Sequence, residues 1–318
     1  MSVDDKAPQL QDVRDAQVRI QPHAVETPVL RSDHIDELIG AEVFFKCENF
    51  QRIGAFKFRG ACNAVLALTP EQRAAGVATH SSGNHAAALA AAAKLANAKA
   101  TIVMPSDAPA VKQRSVAELG ADIIFCEPTQ AARESTLDAF MAKSGATMVH
   151  PYNDFFVISG QGTAALELLN ATPDLDVVVT PVGGGGLLSG TSIAVGETEP
   201  NTVVWGAEPA QADDAFRSLK GGELILGETP STIADGLRTS LGPLTFKVLG
   251  ERVQRIILAE EAAIIDAMRL VWERLKIVIE PSAAVPVAAL LAHPDHGFRR
   301  IGVILSGGNL DLETLPWQ

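Results

Sequence analysis

A lysine lies between two phenylalanines in Gly54-Ala55-Phe56-Lys57-Phe58-Arg59-Gly60-Ala61. An amine among apolar neighbours loses hydration of its charged form, so its pKa falls and a neutral nucleophile becomes accessible near pH 7. Such a lysine can hold an aldehyde as a Schiff base. Further along, the β-branched run Asp176-Val177-Val178-Val179 leads into Thr180-Pro181-Val182-Gly183-Gly184-Gly185-Gly186-Leu187-Leu188-Ser189-Gly190. A strand feeding four glycines and then a helix gathers unobstructed backbone N–H groups at the positive end of a helix dipole, which is a cup for phosphate. The run lacks the Gly-Lys-Ser/Thr of a P-loop and the G-x-G-x-x-G of a dinucleotide site, so a nucleotide is the weaker occupant.

Two more turns have similar form. His80-Ser81-Ser82-Gly83-Asn84-His85 follows Gly76-Val77-Ala78-Thr79 and precedes an alanine-rich helix over 86–96. It reads equally as an ordinary N-cap or as a cradle for a carboxylate. Ile301-Gly302-Val303-Ile304-Leu305-Ser306-Gly307-Gly308-Asn309 is a buried strand ending in a small polar turn, in which Ser306 could reach a ring nitrogen.

In this order, together with Thr27-Pro28, Lys46-Cys47-Glu48-Asn49-Phe50-Gln51, Gly160-Gln161-Gly162-Thr163 and Ile233-Ala234-Asp235-Gly236, these pieces resemble the fold type II pyridoxal-phosphate (PLP) enzymes of the serine racemase and serine/threonine dehydratase family. The resemblance spans nearly the whole chain. It implies an α/β fold of two parallel-sheet αβα domains with the cofactor between them. It assigns Lys57 as the lysine that holds PLP and acts as base on one face, with Ser82 as the acid/base on the other. Phe56 would pack on the ring, Asn84 would bond the ring hydroxyl, and the amides of Gly183, Gly184, Gly185, Gly186 and Leu187 would hold the phosphate. Ser306 would face the pyridine nitrogen, where a hydroxyl does not force protonation, a setting that favours elimination and proton shuttling. Ser81, Asn84 and His85 would grip the substrate carboxylate. Ala55 stands where many relatives carry Ser, so no acid role is expected there.

The resemblance also implies a divalent cation, Mg²⁺, Mn²⁺ or Ca²⁺, at Glu208-Pro209-Ala210-Gln211-Ala212-Asp213-Asp214, with Glu208 and Asp214 giving carboxylate oxygens and Ala212 a carbonyl. Without it, two acids six residues apart read as solvated surface charge. His23, His34, His150, His293 and His296 show no zinc spacing and read as packing or surface residues.

The elements that must position these groups follow a βαβ alternation. Short apolar runs at 101–104, 122–125 and 147–150 alternate with helical patterns over 111–119 and 131–142, implying a parallel sheet. Residues 76–153 are expected to form a small substrate-closing domain inserted in a large PLP-binding domain of residues 1–75 and 154–318. The large domain is expected to carry strands at 203–207, 255–258 and 301–305 and helices over 260–275 and 283–292. Closure of the small domain would exclude water.

At 318 residues and 47% hydrophobic, the chain can bury a large core. Its net charge of -12, from 26 basic and 38 acidic side chains, speaks against nucleic acid. Three cysteines, Cys47, Cys62 and Cys126, read as reduced thiols. A polar opening and the lack of a membrane-length apolar run give the expectation of a cytoplasmic enzyme without leader or membrane span. A homodimer is expected from the resemblance, and a regulatory extension is not.

The expected activity is dehydration of a β-hydroxy amino acid, serine, threonine or 3-hydroxyaspartate, to a 2-oxo or imino acid and ammonia. Arg133 and Arg238, with Arg52 as a third, could meet the second carboxylate that 3-hydroxyaspartate carries. Tyr152 and Asn153 are placed near this pocket. Racemisation through Lys57 and Ser82 is the alternative, and a non-catalytic PLP-binding protein a weaker one. Cysteine synthase chemistry fits less, since its Thr-Ser-Gly-Asn-Thr loop differs from Ser81-Ser82-Gly83-Asn84-His85.

Overall fold

Valine- and isoleucine-rich runs buried on both faces set the architecture, because such strands need helices above and below them. A computed structural model describes residues 6–226 and 230–317. Its strands are β1 (Val29–Leu30), β2 (Glu42–Cys47), β3 (Val77–His80), β4 (Ala100–Pro105), β5 (Asp122–Cys126), β6 (Thr147–Met148), β7 (Val177–Pro181), β8 (Val203–Pro209), β9 (Arg255–Ala259) and β10 (Arg300–Leu305). Its helices are α1 (Leu10–Ile20), α2 (Asp33–Ile39), α3 (Lys57–Leu66), α4 (Pro70–Ala75), α5 (Asn84–Leu95), α6 (Ala110–Glu118) and α7 (Gln130–Ser144). They continue as α8 (Phe155–Ala171), α9 (Gly186–Thr198), α10 (Asp214–Gly221), α11 (Pro243–Arg252), α12 (Glu261–Leu275) and α13 (Pro281–Ala292).

The strands form two sheets, β1-β2-β10-β7-β8-β9 and β5-β4-β3-β6. All pairings are parallel except β1 on β2, a short antiparallel edge that the βαβ alternation did not foretell. Alternation along β7 shows the layering. Val177 and Val179 face a core with α2, α12 and α13, while Val178 faces one with α1, α8, α9 and α11. The small sheet is covered likewise, by α3 and α5 on one face and by α7, through Leu137, on the other.

Helix α8 was not legible as a helix, since Gly160 and Gly162 interrupt its pattern. Both glycines are there for close approach. A Cβ on Gly160 would stand 2.7 Å from the Gly60 Cα of α3, and one on Gly190 of α9 would stand 2.5 Å from the Gly162 nitrogen. The three helices therefore meet backbone to backbone, an arrangement only glycine allows.

Arg59, fully buried on α3, ties this cluster to β2. Its Nε donates to Glu48 at 2.7 Å and its Nη1 to Glu167 of α8 at 2.6 Å, while Lys46 Nζ reaches Glu167 at 2.6 Å. Burial opposes the Arg59 charge, but Glu48 and Glu167 more than offset it, so its pKa lies above the ordinary arginine value. Two cations and two anions thus form a closed set with little solvent access. Deleting one member strands the others, and Glu48→Ala is expected to lower stability by about 3–5 kcal/mol in urea unfolding. A loss below about 1 kcal/mol, the scale of an exposed pair, would contradict this.

Candidate active site

Lys57 is the first residue of α3, and the strand-end turn Ser306–Gly308 is stitched to the segment just before it. Phe56 N donates to the Ser306 carbonyl at 3.0 Å, Gly308 N donates to the Gly54 carbonyl at 2.9 Å, and Ala55 forms an antiparallel bridge with Gly307. Ile53 in the same turn has φ +60°, a strained setting for a β-branched residue. Its carbonyl accepts Asn309 Nδ2 at 2.6 Å. The turn is therefore held from outside by Asn309.

The Lys57 side chain is half-buried, with Nζ donating to the Pro151 carbonyl at 2.7 Å and standing 5.2 Å from the centre of the Phe56 ring. Burial lowers its pKa to about 8, with Glu280 opposing. The amine is thus partly neutral near neutrality, as a nucleophile or base requires.

Gly183, Gly184, Gly185 and Gly186 are buried and lead into α9, with Gly185 as N-cap at φ +85°. The amides of a first helical turn have no intrahelical acceptor, so Gly186 and Leu187 present theirs to whatever sits beyond the helix. The cradle is walled closely. A Cβ on Gly184 would stand 2.3 Å from the Tyr152 ring, and one on Gly183 would stand 2.8 Å from Leu237 Cα. Thr245 Oγ1 donates to the Gly184 carbonyl at 2.9 Å and fixes the loop from α11.

Asn84, at the start of α5, faces the large sheet. Its Nδ2 donates to the Glu280 oxygens at 3.0 and 3.1 Å, and its Oδ1 accepts Asn309 Nδ2 at 2.9 Å. Glu280 was missed by sequence reading. It is 3% exposed, also accepts Asn309 N at 3.2 Å, and burial raises its pKa to about 7 despite the Asn84 bond. The only signal was a lone acid ahead of Pro281 at the head of an apolar helix. Ser306 is buried, whereas Ser81, Ser82 and Gly83 are half-buried in the turn between β3 and α5.

His85 is held differently from a carboxylate grip. Its Nε2 bonds the Val149 carbonyl at 3.0 Å, so that nitrogen carries the proton and the buried Nδ1 has no donor to offer. Burial, then the nearby Lys57 charge, lowers its pKa to about 3. His150, read from sequence as packing or surface, is in the site. It meets His80 edge-on at 6.4 Å and Tyr152 at 4.6 Å between ring centres.

The arginines part company. Arg238 is exposed, and its Nε donates to the Thr232 carbonyl at 2.9 Å. Arg52 is exposed, bonds the His23 carbonyl and lies 5.9 Å from the Phe58 ring centre. Arg133 is half-buried on α7, its Nε is buried without a partner, and it acts electrostatically on His80 at the end of β3.

Glu208, next to the last residue of β8, is fully buried and accepts Ala215 N at 3.0 Å and Phe216 N at 2.9 Å, capping α10. Burial raises its pKa to about 9 and that of Asp214 to about 6. Asp214 Oδ2 is buried with no partner, and Ala212 is buried in the turn between them. Among the described residues no group of three or more His, Cys, Asp and Glu side chains could hold a metal, so a cation here would rely on carbonyl and water oxygens.

A family model described as pyridoxal-phosphate dependent enzyme matches residues 20–307. The chain is 50% identical over 312 residues to the beta-hydroxyaspartate dehydratase of Paracoccus denitrificans (strain Pd 1222), covering 98% of this chain and 99% of that protein. It is 46% identical to the serine racemase of Dictyostelium discoideum, covering 96% of each, and the crystal structure of that enzyme superposes with a TM-score of 0.93 over 96% of this chain and 99% of the other. Maize serine racemase, 44% identical, superposes with a TM-score of 0.96 over 98% and 97%. The residues present fit that cofactor, with an amine of lowered pKa and a glycine cradle with no room for a Cβ.

The buried amine has a signature in stability. Its folded pKa of about 8 lies below the ordinary 10.5, so between these values the unfolded chain binds more protons and stability rises with pH. Below pH 8 the burial penalty stands in full. Lys57→Met is therefore expected to stabilise the cofactor-free protein by on the order of 2 kcal/mol at pH 7, with the gain shrinking as the pH approaches 10.5. Urea midpoints at two pH values test this, and a gain independent of pH would contradict it.

Proposed function

Because the chain belongs to the pyridoxal-phosphate dependent enzyme family, we propose that it is an ammonia-lyase that dehydrates a β-hydroxy amino acid, with 3-hydroxyaspartate as the preferred substrate. The products are a 2-oxo or imino acid and ammonia. The observation that carries the choice of a dicarboxylate is Arg133. A guanidinium with a buried, unpartnered Nε beside His80 is a donor awaiting an acceptor, and the 50% identical relative is a hydroxyaspartate dehydratase.

When bound, pyridoxal phosphate supplies the electron sink that acidifies the substrate's α-hydrogen. Lys57, its amine near pKa 8, accepts that proton. The amides of Gly183, Gly184, Gly185, Gly186 and Leu187 would hold the phosphate, Asn84 and Phe56 would steady the ring, and Ser306 would lie toward its nitrogen. Ser81 and the amides opening α5 hold the α-carboxylate, with His85 as a neutral wall. Arg133 takes the second carboxylate, a role for which Arg238 is less suited because its guanidinium is engaged by Thr232. A second reading is racemisation as a companion activity, with Ser82, half-buried in the turn before α5, as the second acid/base, in keeping with the serine racemases at 46% identity.

The proposal extends to the assembly. Residues 76–153, which contain the whole small sheet, act as the unit that closes over the large unit of residues 1–75 and 154–318. The exposed Lys112–Asp235 pair, 2.6 Å apart, joins the two sides. A homodimer is supported by exposed Phe50 and Val278, whose segments meet through the hydrogen bond from Asn49 to the Val278 carbonyl. Three unpaired thiols favour the cytoplasm. Glu208, Asp214 and the Ala212 carbonyl take Mg²⁺ or a similar cation, which would relieve two buried carboxylates.

A panel of serine, threonine and 3-hydroxyaspartate stereoisomers, with ammonia and chiral product both followed, tests the reading. One hydroxyaspartate isomer is expected to lead in kcat/KM, and Arg133→Ala to reduce that lead by roughly 10–10²-fold while sparing serine. Faster turnover of serine or threonine than of every hydroxyaspartate would overturn the dicarboxylate choice. Mg²⁺ is expected to raise the melting temperature more at pH 8 than at pH 6, because protons compete for the two carboxylates, and Asp214→Asn to remove the effect. An equal shift in that variant would exclude this site.

A further inference from the structure

Four consecutive residues between β6 and α8 each touch a different part of the site. His150 Nδ1 accepts the backbone N–H of Asn153 at 2.9 Å and that of Tyr152 at 3.3 Å. The Pro151 carbonyl accepts Lys57 Nζ at 2.7 Å. The Tyr152 ring is packed against Gly184, and its Cα, Cβ and carbonyl oxygen against Gly186. Asn153 Oδ1 accepts Leu244 N at 2.9 Å at the start of α11, whose Thr245 in turn holds the Gly184 carbonyl. An Asn153 contact with Gly242 is so close that a Cβ there would stand 2.2 Å from Oδ1.

We propose that His150 is a positioning residue for Lys57: its unprotonated Nδ1, by accepting two amides of the loop, fixes the Pro151 carbonyl as the seat of the free lysine amine and sets the Tyr152 ring against the glycine cradle. This rests on the reading of Lys57 as the reactive amine. While substrate occupies the site, the lysine would have to stay a free amine within reach of the substrate's α-hydrogen. A carbonyl oxygen supplied by a proline is suited to that, since the residue has no N–H with which to turn toward another acceptor.

The role requires that Nδ1 remain an acceptor. The groups facing His150 are His80 on β3, Lys57 on α3 and Tyr152 on its own loop. Burial first, then His80 and Lys57, brings its pKa down to about 3, so the ring stays neutral throughout the range in which the lysine works. Its proton sits on Nε2, because Nδ1 is occupied as an acceptor. Nothing in a lone His-Pro pair reveals this from sequence, since the acceptor's partners are backbone amides.

The test separates the two ring positions. His150→Asn places an amide oxygen near where Nδ1 stands, whereas His150→Gln reaches toward the Nε2 position, and His150→Leu removes the acceptor. Two readouts are taken on the full-length protein. One is the kcat and KM of the cofactor-loaded enzyme. The other is the pH midpoint for reductive methylation of Lys57 after the cofactor is removed, followed by mass spectrometry. Gln and Leu variants are expected to lose roughly 10²-fold in kcat with a smaller change in KM, the scale of a misplaced reacting group. Their methylation midpoint is expected to climb from about 8 toward 10.5 as the amine leaves its seat. The Asn variant is expected to keep most of the rate and the low midpoint. A Gln variant equal to Asn, an Asn variant as impaired as Leu, or an unmoved midpoint in the Leu variant would overturn the proposal. Because methylation needs no substrate, the lysine seat is read even if wild-type protein turns over none of the hydroxy amino acids.

Discussion

The closed set of Lys46, Glu48, Arg59 and Glu167 is the constraint on which the site depends. Arg59 follows Lys57 by two residues on the same helix, so the ion pairs that fix the guanidinium also fix the height and rotation at which the amine emerges. Burying four charges is expensive unless each is paired, and here burial opposes the charges of Arg59 and Glu167 while their neighbours reverse it, as the raised pKa of the one and the lowered pKa of the other show. Apolar residues could fill the same volume, but they would not dictate one register of α3 against β2 and α8. The pairs set position more than they add stability.

From that fixed helix the site is assembled out of sequence-distant pieces that converge on backbone. The Ser306–Gly308 turn reaches Lys57's segment through main-chain hydrogen bonds, Asn84 arrives from the small sheet, and Glu280 joins them from the head of α13. Two helix N-termini, those of α5 and α9, would give an acidic chain two local anion-binding points under the proposed function. A net charge of -12 is compatible with such points, because helix ends act at short range, whereas surface acids are screened.

Much of this was legible from residue types. Strands β4, β5, β7, β8, β9 and β10 lie where apolar β-branched runs fall between helical patterns, and α12 begins within one residue of the expected start. Lys57 and the tetraglycine run stood out as candidates because the signal is local: apolar neighbours in one case, missing Cβ atoms in the other. What escaped is non-local. Glu280 looks like any acid before a proline until the fold seals it from water. His150 looks like a packing residue until a loop folds its own amides onto the ring. The antiparallel β1 is two residues long, too short for any periodicity to register. Arg238 adjoins a glycine expected near the cofactor, yet a carbonyl six residues back takes its guanidinium, a preference that only the loop's path decides.

The seam of Gly60, Gly160, Gly162 and Gly190 bears on how such a scaffold can diversify. Where helices touch through main chain there is no spare volume, and any enlargement of one residue displaces three elements at once. The half that carries Lys57 and the tetraglycine run is therefore closed to gradual remodelling. Change in a lineage built this way is easier away from the seam, among side chains of β3 and α7 such as His80 and Arg133, which can vary without moving the helices that meet through main chain.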